Sequence, residues 1–152
     1  MAESKTAKKL TQVSTGLAKN LALFVQARVA SDLVFLVKER IAGTGIDYKG
    51  KQLSYKEGPY KKWRSKKYQV AYKDFMVTGQ MWRDIDVIAV KARGNVVELV
   101  YGAKTDYSRT LISGHNQREN TNIIKPNQKE LNIIKKMIAD YCKDYLKAKT
   151  RG

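Results

Sequence analysis

Cysteine and histidine are nearly missing: the 152 residues hold one of each, Cys142 and His115. A single cysteine excludes an intrachain disulfide and a cysteine-built zinc site. A single histidine argues against a Ser-His-Asp triad and a His-rich metal centre. Cys142 falls in a helical pattern, as a packing or surface residue, and His115 falls in the polar stretch SGHNQREN, as a solvated loop side chain. Acidic side chains are scarce too, with 14 Asp and Glu against 30 Lys and Arg, a formal charge of +16. A charge that large repels itself and calls for a partner of opposite sign. Nucleic acid, an acidic membrane and an acidic protein surface all qualify.

Long apolar runs are also wanting. The longest, between Leu21 and Leu36, is interrupted by Gln26, Arg28 and Asp32, so no membrane-spanning segment is expected. The opening MAESKTAKKLTQVS is polar and basic, without the apolar centre of a secretory signal. What is present is a 43% hydrophobic content and nine tyrosines, enough for a folded chain with a real core. Residues 1–15 read as a flexible basic arm and residues 16–149 as one α+β domain.

From Leu17 to Ile41, Leu17, Leu21, Phe24, Val25, Val29, Leu33, Leu36 and Ile41 recur at helical spacing, and Gly43 and Gly45 stop the helix. Val34, Phe35 and Val37 widen the apolar stripe beyond one face, which marks them as candidates for contact with a second subunit. Residues 45–73 mix Lys and Arg with Tyr48, Tyr55, Tyr60, Trp63, Tyr68 and Tyr72, with turn signals at Lys49-Gly50 and Gly58-Pro59. They read as an extended basic loop or short hairpin. IDVIAVKARGNVVELVYGA holds two β-rich runs around the turn Arg93-Gly94-Asn95, with Lys91 and Glu98 on the exposed side. KTDYSRTLISGHNQRENTN reads as loop. Pro126, Asn127 and Glu130 then open a helix with a capping box, and Leu131, Ile134, Ile138, Tyr141 and Tyr145 line its apolar face. The expected architecture is a long N-terminal helix, a small antiparallel sheet and a C-terminal amphipathic helix packed on that sheet.

Chemistry is hard to find. Gly43-Thr44-Gly45 lacks the Lys-Ser/Thr and the preceding strand of a phosphate loop. A magnesium nuclease would draw on Asp84, Asp86, Glu98 and Lys104, yet Glu98 is followed by Leu99 and Val100, so Glu-x-Lys is absent. Asp84 and Asp86 are expected to end a helix and begin a strand. No enzyme, metal or cofactor is expected. YKEGPYKKWRSKKYQVAYK suits nucleic acid, lysines meeting phosphates and rings stacking on bases, or else it is a solvated loop whose rings pack inward. In YKDFMVTGQMWRDI, Thr78 and Gly79 read as a chain reversal, with Met81, Trp82 and Ile85 as packing anchors.

The order of these features resembles the virion-morphogenesis proteins of tailed bacteriophages, the small neck and tail-completion proteins of the head-tail connector. Gly45, Asp47, Gly50 and Lys51 match that family's Gly-Asp turn, and Tyr55, Tyr60 and Arg64 fall in its basic segment. Thr78, Gly79, Met81 and Ile85 match its Thr-Gly-x-Met box, Asp84 standing where Ser is common. Gly102 matches its strand end, and Pro126 and Glu130 its terminal helix. The resemblance implies a non-enzymatic virion protein, made in the host cytoplasm, that forms a closed homo-oligomeric ring between neighbouring connector and tail proteins. Double-stranded DNA would pass through that ring, held without base reading. The basic surface expected to face DNA or an acidic neighbour is Lys56, Lys61, Lys62, Arg64, Lys66 and Lys67. The alternative is a small basic protein that binds nucleic acid without sequence specificity and has no virion role.

Overall fold

A computed structural model describes residues 5–69, 72–75, 79–94 and 96–151. Helix α1 (Lys5–Phe24) runs through a π-helical turn (Val25–Val29) into α2 (Ala30–Thr44). Residues 5–15, expected to belong to a flexible arm, are helical. The π turn has a cause in the sequence. Val25, Val29, Leu33, Val37 and Ile41 recur every four residues, and in a helix of 3.6 residues per turn such a row drifts by roughly 40° per step. One wide turn takes up part of that drift and keeps the row facing the fold. Gly45, at φ 64°, ends the helix in the left-handed conformation, its N–H bonded to the Ile41 carbonyl.

The helix is apolar on two sides because it serves two cores. Val25, Val29, Leu33 and Val37 pack with Ile134 of the last helix, bordered by Val90, Val97, Leu99 and Tyr101. Val34 and Ile41 join Leu53, Phe75, Met81, Trp82, Ile85, Ala103, Ile112 and Ile123. This corrects the expectation of a subunit contact at Val34 and Val37, which are 5% and 1% exposed inside the chain's own core. Of the three candidates, Phe35 alone stands outside, 61% exposed. By length and composition the long helix also holds a stretch apolar enough to cross a membrane, contrary to the expectation drawn from Gln26, Arg28 and Asp32. The two charged residues among them, Arg28 and Asp32, lie 3.8 Å apart.

After α3 (Pro59–Tyr68) and the short α4 (Gln80–Asp84) come strands β1 (Ile85–Arg93) and β2 (Val96–Ala103), one antiparallel pair. Asp84 closes α4 and Asp86 lies in β1, as their sequence suggested. Lys91 stands opposite Glu98, both exposed, and the register shifts between Val87 and Ala89, leaving Ile88 as the extra residue. Asn95 of the connecting turn lies outside the described residues.

The stretch read as loop is helix α5 (Asp106–Glu119), whose cap is Thr105, accepting from the Ser108 N–H. Helix α6 (Gln128–Thr150) begins with the expected capping box: Asn127 accepts from the Glu130 N–H while Glu130 accepts from the Asn127 N–H. Glu130 also receives Arg40 Nε at 2.6 Å, and the rest of that guanidinium donates to the Ile46 and Lys125 carbonyls. One arginine thus ties the end of α2 to the start of α6. Further along, Tyr141 stacks on Phe24 at 4.2 Å, so α6 lies along the long helix, and both close on the hairpin. The fold is α+β, as its periodicities indicated.

Candidate functional site

The basic segment forms α3, PYKKWRSKKY, rather than an extended loop or hairpin. A helix this short is marginal in water, and this one has no apolar stripe to dock it. Pro59 at its first turn presets the backbone, and Gln69, left-handed at φ 55°, closes its far end. What holds it to the domain is Arg64. That side chain is 0% exposed and paired with Asp74. The Tyr55 and Tyr68 rings lie 5.4 and 4.9 Å from its guanidinium carbon. Trp82 Nε1 donates to the Asp74 carbonyl at 2.9 Å, which carries the attachment into α4. Burial, opposed by the nearby Arg64 charge, pushes the Tyr55 phenol up to about 12.

Arg64 therefore does not belong to the basic surface expected of it, because its charge is spent inside on Asp74. Lys61 is half-buried and paired with Glu57. Lys56, Lys62, Lys66 and Lys67 are exposed, and among the described residues they enter no ion pair with a carboxylate. The helix itself contains no Asp or Glu. Beside these ammonium groups stand two rings, Tyr60 at 49% exposure and Trp63 at 44%. They belong to a ladder of four: Tyr55 to Tyr60 at 5.3 Å, then Tyr60 to Trp63 and Trp63 to Tyr68 at 5.7 Å each. Lys67 Nζ lies 5.1 Å from the Trp63 ring centre. A cleft of about 650 Å³ at the start of the helix is lined by Lys56, Tyr60, Lys73 and Arg118 together with the carboxylates Glu57 and Glu119.

The described residues of the Gly-Asp turn and the Thr-Gly-x-Met box bend the backbone beside the core that Met81, Trp82 and Ile85 fill. Tyr72 lies over Gly45, where a Cβ would meet its ring atoms at 2.7 Å, and the Tyr72 hydroxyl donates to the Gly43 carbonyl. Asp47, 2% exposed, accepts from the N–H groups of Lys49 and Lys51 and from the Thr121 hydroxyl. Gly50 supplies the positive φ of 88° for that turn. Gly79, at φ 72°, leads into α4, where Met81, Trp82 and Ile85 are buried. Among the described residues a Cβ on Gly79 would meet the flexible end of Arg83, at 3.2 Å, and its positive φ is itself a backbone constraint. Thr78 lies outside the described residues.

Of the groups in the nuclease alternative, Asp84, Asp86 and Lys104 meet at the base of the hairpin and Glu98 stands apart. Asp84 accepts from the Ser108 and Thr105 hydroxyls, which hold its carboxyl below the usual range. Asp86 pairs with Lys104, and that bond with the Val87 N–H lowers it as well. Glu98 stands opposite Lys91, five residues along β1 from Asp86, a separation of roughly 16 Å at the rise of a strand. Among the described residues no group of three or more His, Cys, Asp or Glu is placed to hold a metal.

His115 is not a solvated loop residue. It lies in α5, half-buried, edge-on to Phe75 at 4.5 Å, with Nδ1 2.9 Å from an Arg118 nitrogen. Burial first, then the charges of Arg118 and Lys73, bring its pKa down to about 4. Comparison with family models, curated proteins and solved structures finds no match for this chain.

Proposed function

We propose that this chain is a structural, non-enzymatic protein of a tailed-phage virion, a neck or tail-completion protein that closes into a ring around the DNA channel. The observation that supports this most is what the motif residues do. Gly45, Asp47, Gly50 and Gly79 bend and cap backbone, while Met81, Trp82 and Ile85 fill the core, and none of them presents a reactive group to solvent. In this reading the box is a joint that fixes the basic helix relative to the hairpin. Phe35, exposed on the long helix, is the candidate contact with the next copy. The lysines of α3 face DNA in the channel or an acidic neighbouring connector or tail protein.

Electron microscopy of the purified chain tests this. Annular particles of uniform size are expected. A field of monomers or dimers would overturn it. The second reading, a nucleic-acid-binding protein without a virion role, is favoured by the exposed lysines and rings of α3. It predicts strong, salt-sensitive DNA binding by a chain that does not form rings.

A further inference from the structure

We infer that the outer face of α3 is a binding site for single-stranded nucleic acid, with Trp63 and Tyr60 as stacking platforms and Lys62, Lys66 and Lys67 as phosphate contacts. The inference stands apart from the ring reading, since it concerns one helix face of a single chain.

Cations alone suffice for a duplex. Its bases are stacked inside and it offers a protein chiefly phosphates, which lysines meet without aromatic help. An unpaired strand also offers base faces, and these stack on exposed rings whatever the sequence. The helix presents both kinds of group together. Tyr60 and Trp63 keep about half their surface in solvent, on an element whose neighbouring exposed positions are lysine. They do not face outward for want of anchoring. Tyr60 is braced by Tyr55 and Trp63 by Tyr68, and those two outer rings flank the buried Arg64. Rings fixed in this way lose little freedom when a base stacks on them. Lys67, whose Nζ lies over the Trp63 ring, brings a positive charge that can follow the phosphate of a nucleotide stacked on that ring's other face. The absence of any carboxylate from the helix removes local repulsion along its length.

The test is a comparison of a short oligothymidylate with a duplex of the same length, read by tryptophan emission. Trp63 is exposed and Trp82 is buried, so quenching by the strand reports on Trp63. The strand should bind more tightly than the duplex and quench emission. Trp63→Ala should weaken the strand roughly tenfold or more, the usual loss on removing one stacked base contact, and leave duplex binding nearly unchanged. Lys62→Ala with Lys66→Ala should weaken both ligands and lower the salt slope by about two. Equal affinity for strand and duplex would overturn the inference. So would a Trp63→Ala chain that binds the strand like wild type, or a wild-type chain that binds neither ligand at low salt. None of these outcomes bears on whether the chain forms rings, which the particle images decide separately.

Discussion

Helices α3 and α6 are both rich in lysine, yet they are held in opposite ways. Helix α6 docks by an apolar stripe: Ile134 is buried against Val25, Val29, Leu33 and Val37, and Tyr141 stacks on Phe24. Its lysines have carboxylates in the same helix, as in the Lys136–Asp140 pair. Helix α3 docks by one buried cation, and its lysines have no carboxylate within the helix. A lysine-rich helix on an apolar stripe is a piece of the core with a solvated back. A lysine-rich helix on a single ion pair, with rings turned outward, is a surface held in place.

The largest effect should come from breaking the attachment of α3. Arg64→Ala leaves Asp74 buried without its partner and should cost about 3–5 kcal/mol, measured by urea unfolding. Replacing both residues with apolar ones, Arg64→Met with Asp74→Leu, should recover much of that loss. A double variant no more stable than Arg64→Ala alone would mean that the rings need the guanidinium itself. Next comes Ile134→Ala, the corresponding break in α6, with an expected loss of about 2–4 kcal/mol from the vacated volume. Asn127→Ala, which removes half of the capping box, should cost about 1 kcal/mol. A pH dependence completes the set: His115 has a folded pKa of about 4, below its ordinary 6.5. The unfolded chain then binds the proton more readily, so stability is full above pH 6.5 and falls as pH drops toward 4. As the only histidine, its imidazole can be followed by NMR, and a midpoint near 6.5 in the folded chain would contradict the buried position.

The same contrast accounts for what was legible in the sequence. The stripe and capping box of α6 and the β-branched runs of the hairpin write their structure in periodicity, and both stand as expected. Helix α3 has no period to read. Its anchor is an arginine, a residue type whose place in a basic run suggests solvent. Helix α5 hides for a related reason. DYSRTLISGHNQRE buries little beyond Ser108 and Ile112 and is fixed by its Thr105 cap and by Asp84, a partner 24 residues from Ser108. In the sequence Asp84 reads as a helix end or a candidate metal ligand, and neither reading points to Ser108. The breadth of the first helix's stripe was visible, but the stripe alone does not distinguish a second core from a second subunit. The π turn that aligns it shows in the sequence only as the four-residue spacing of Val25, Val29, Leu33, Val37 and Ile41.

Native mass spectrometry of the wild-type chain, beside Phe35→Asp and the Lys62→Ala, Lys66→Ala pair, tests the central proposal most directly. A single discrete multiple of 17.3 kDa larger than a dimer is expected for wild type and for the lysine variant, and dissociation to one chain for Phe35→Asp. A wild-type chain that stays at 17.3 kDa at every concentration would contradict the proposal.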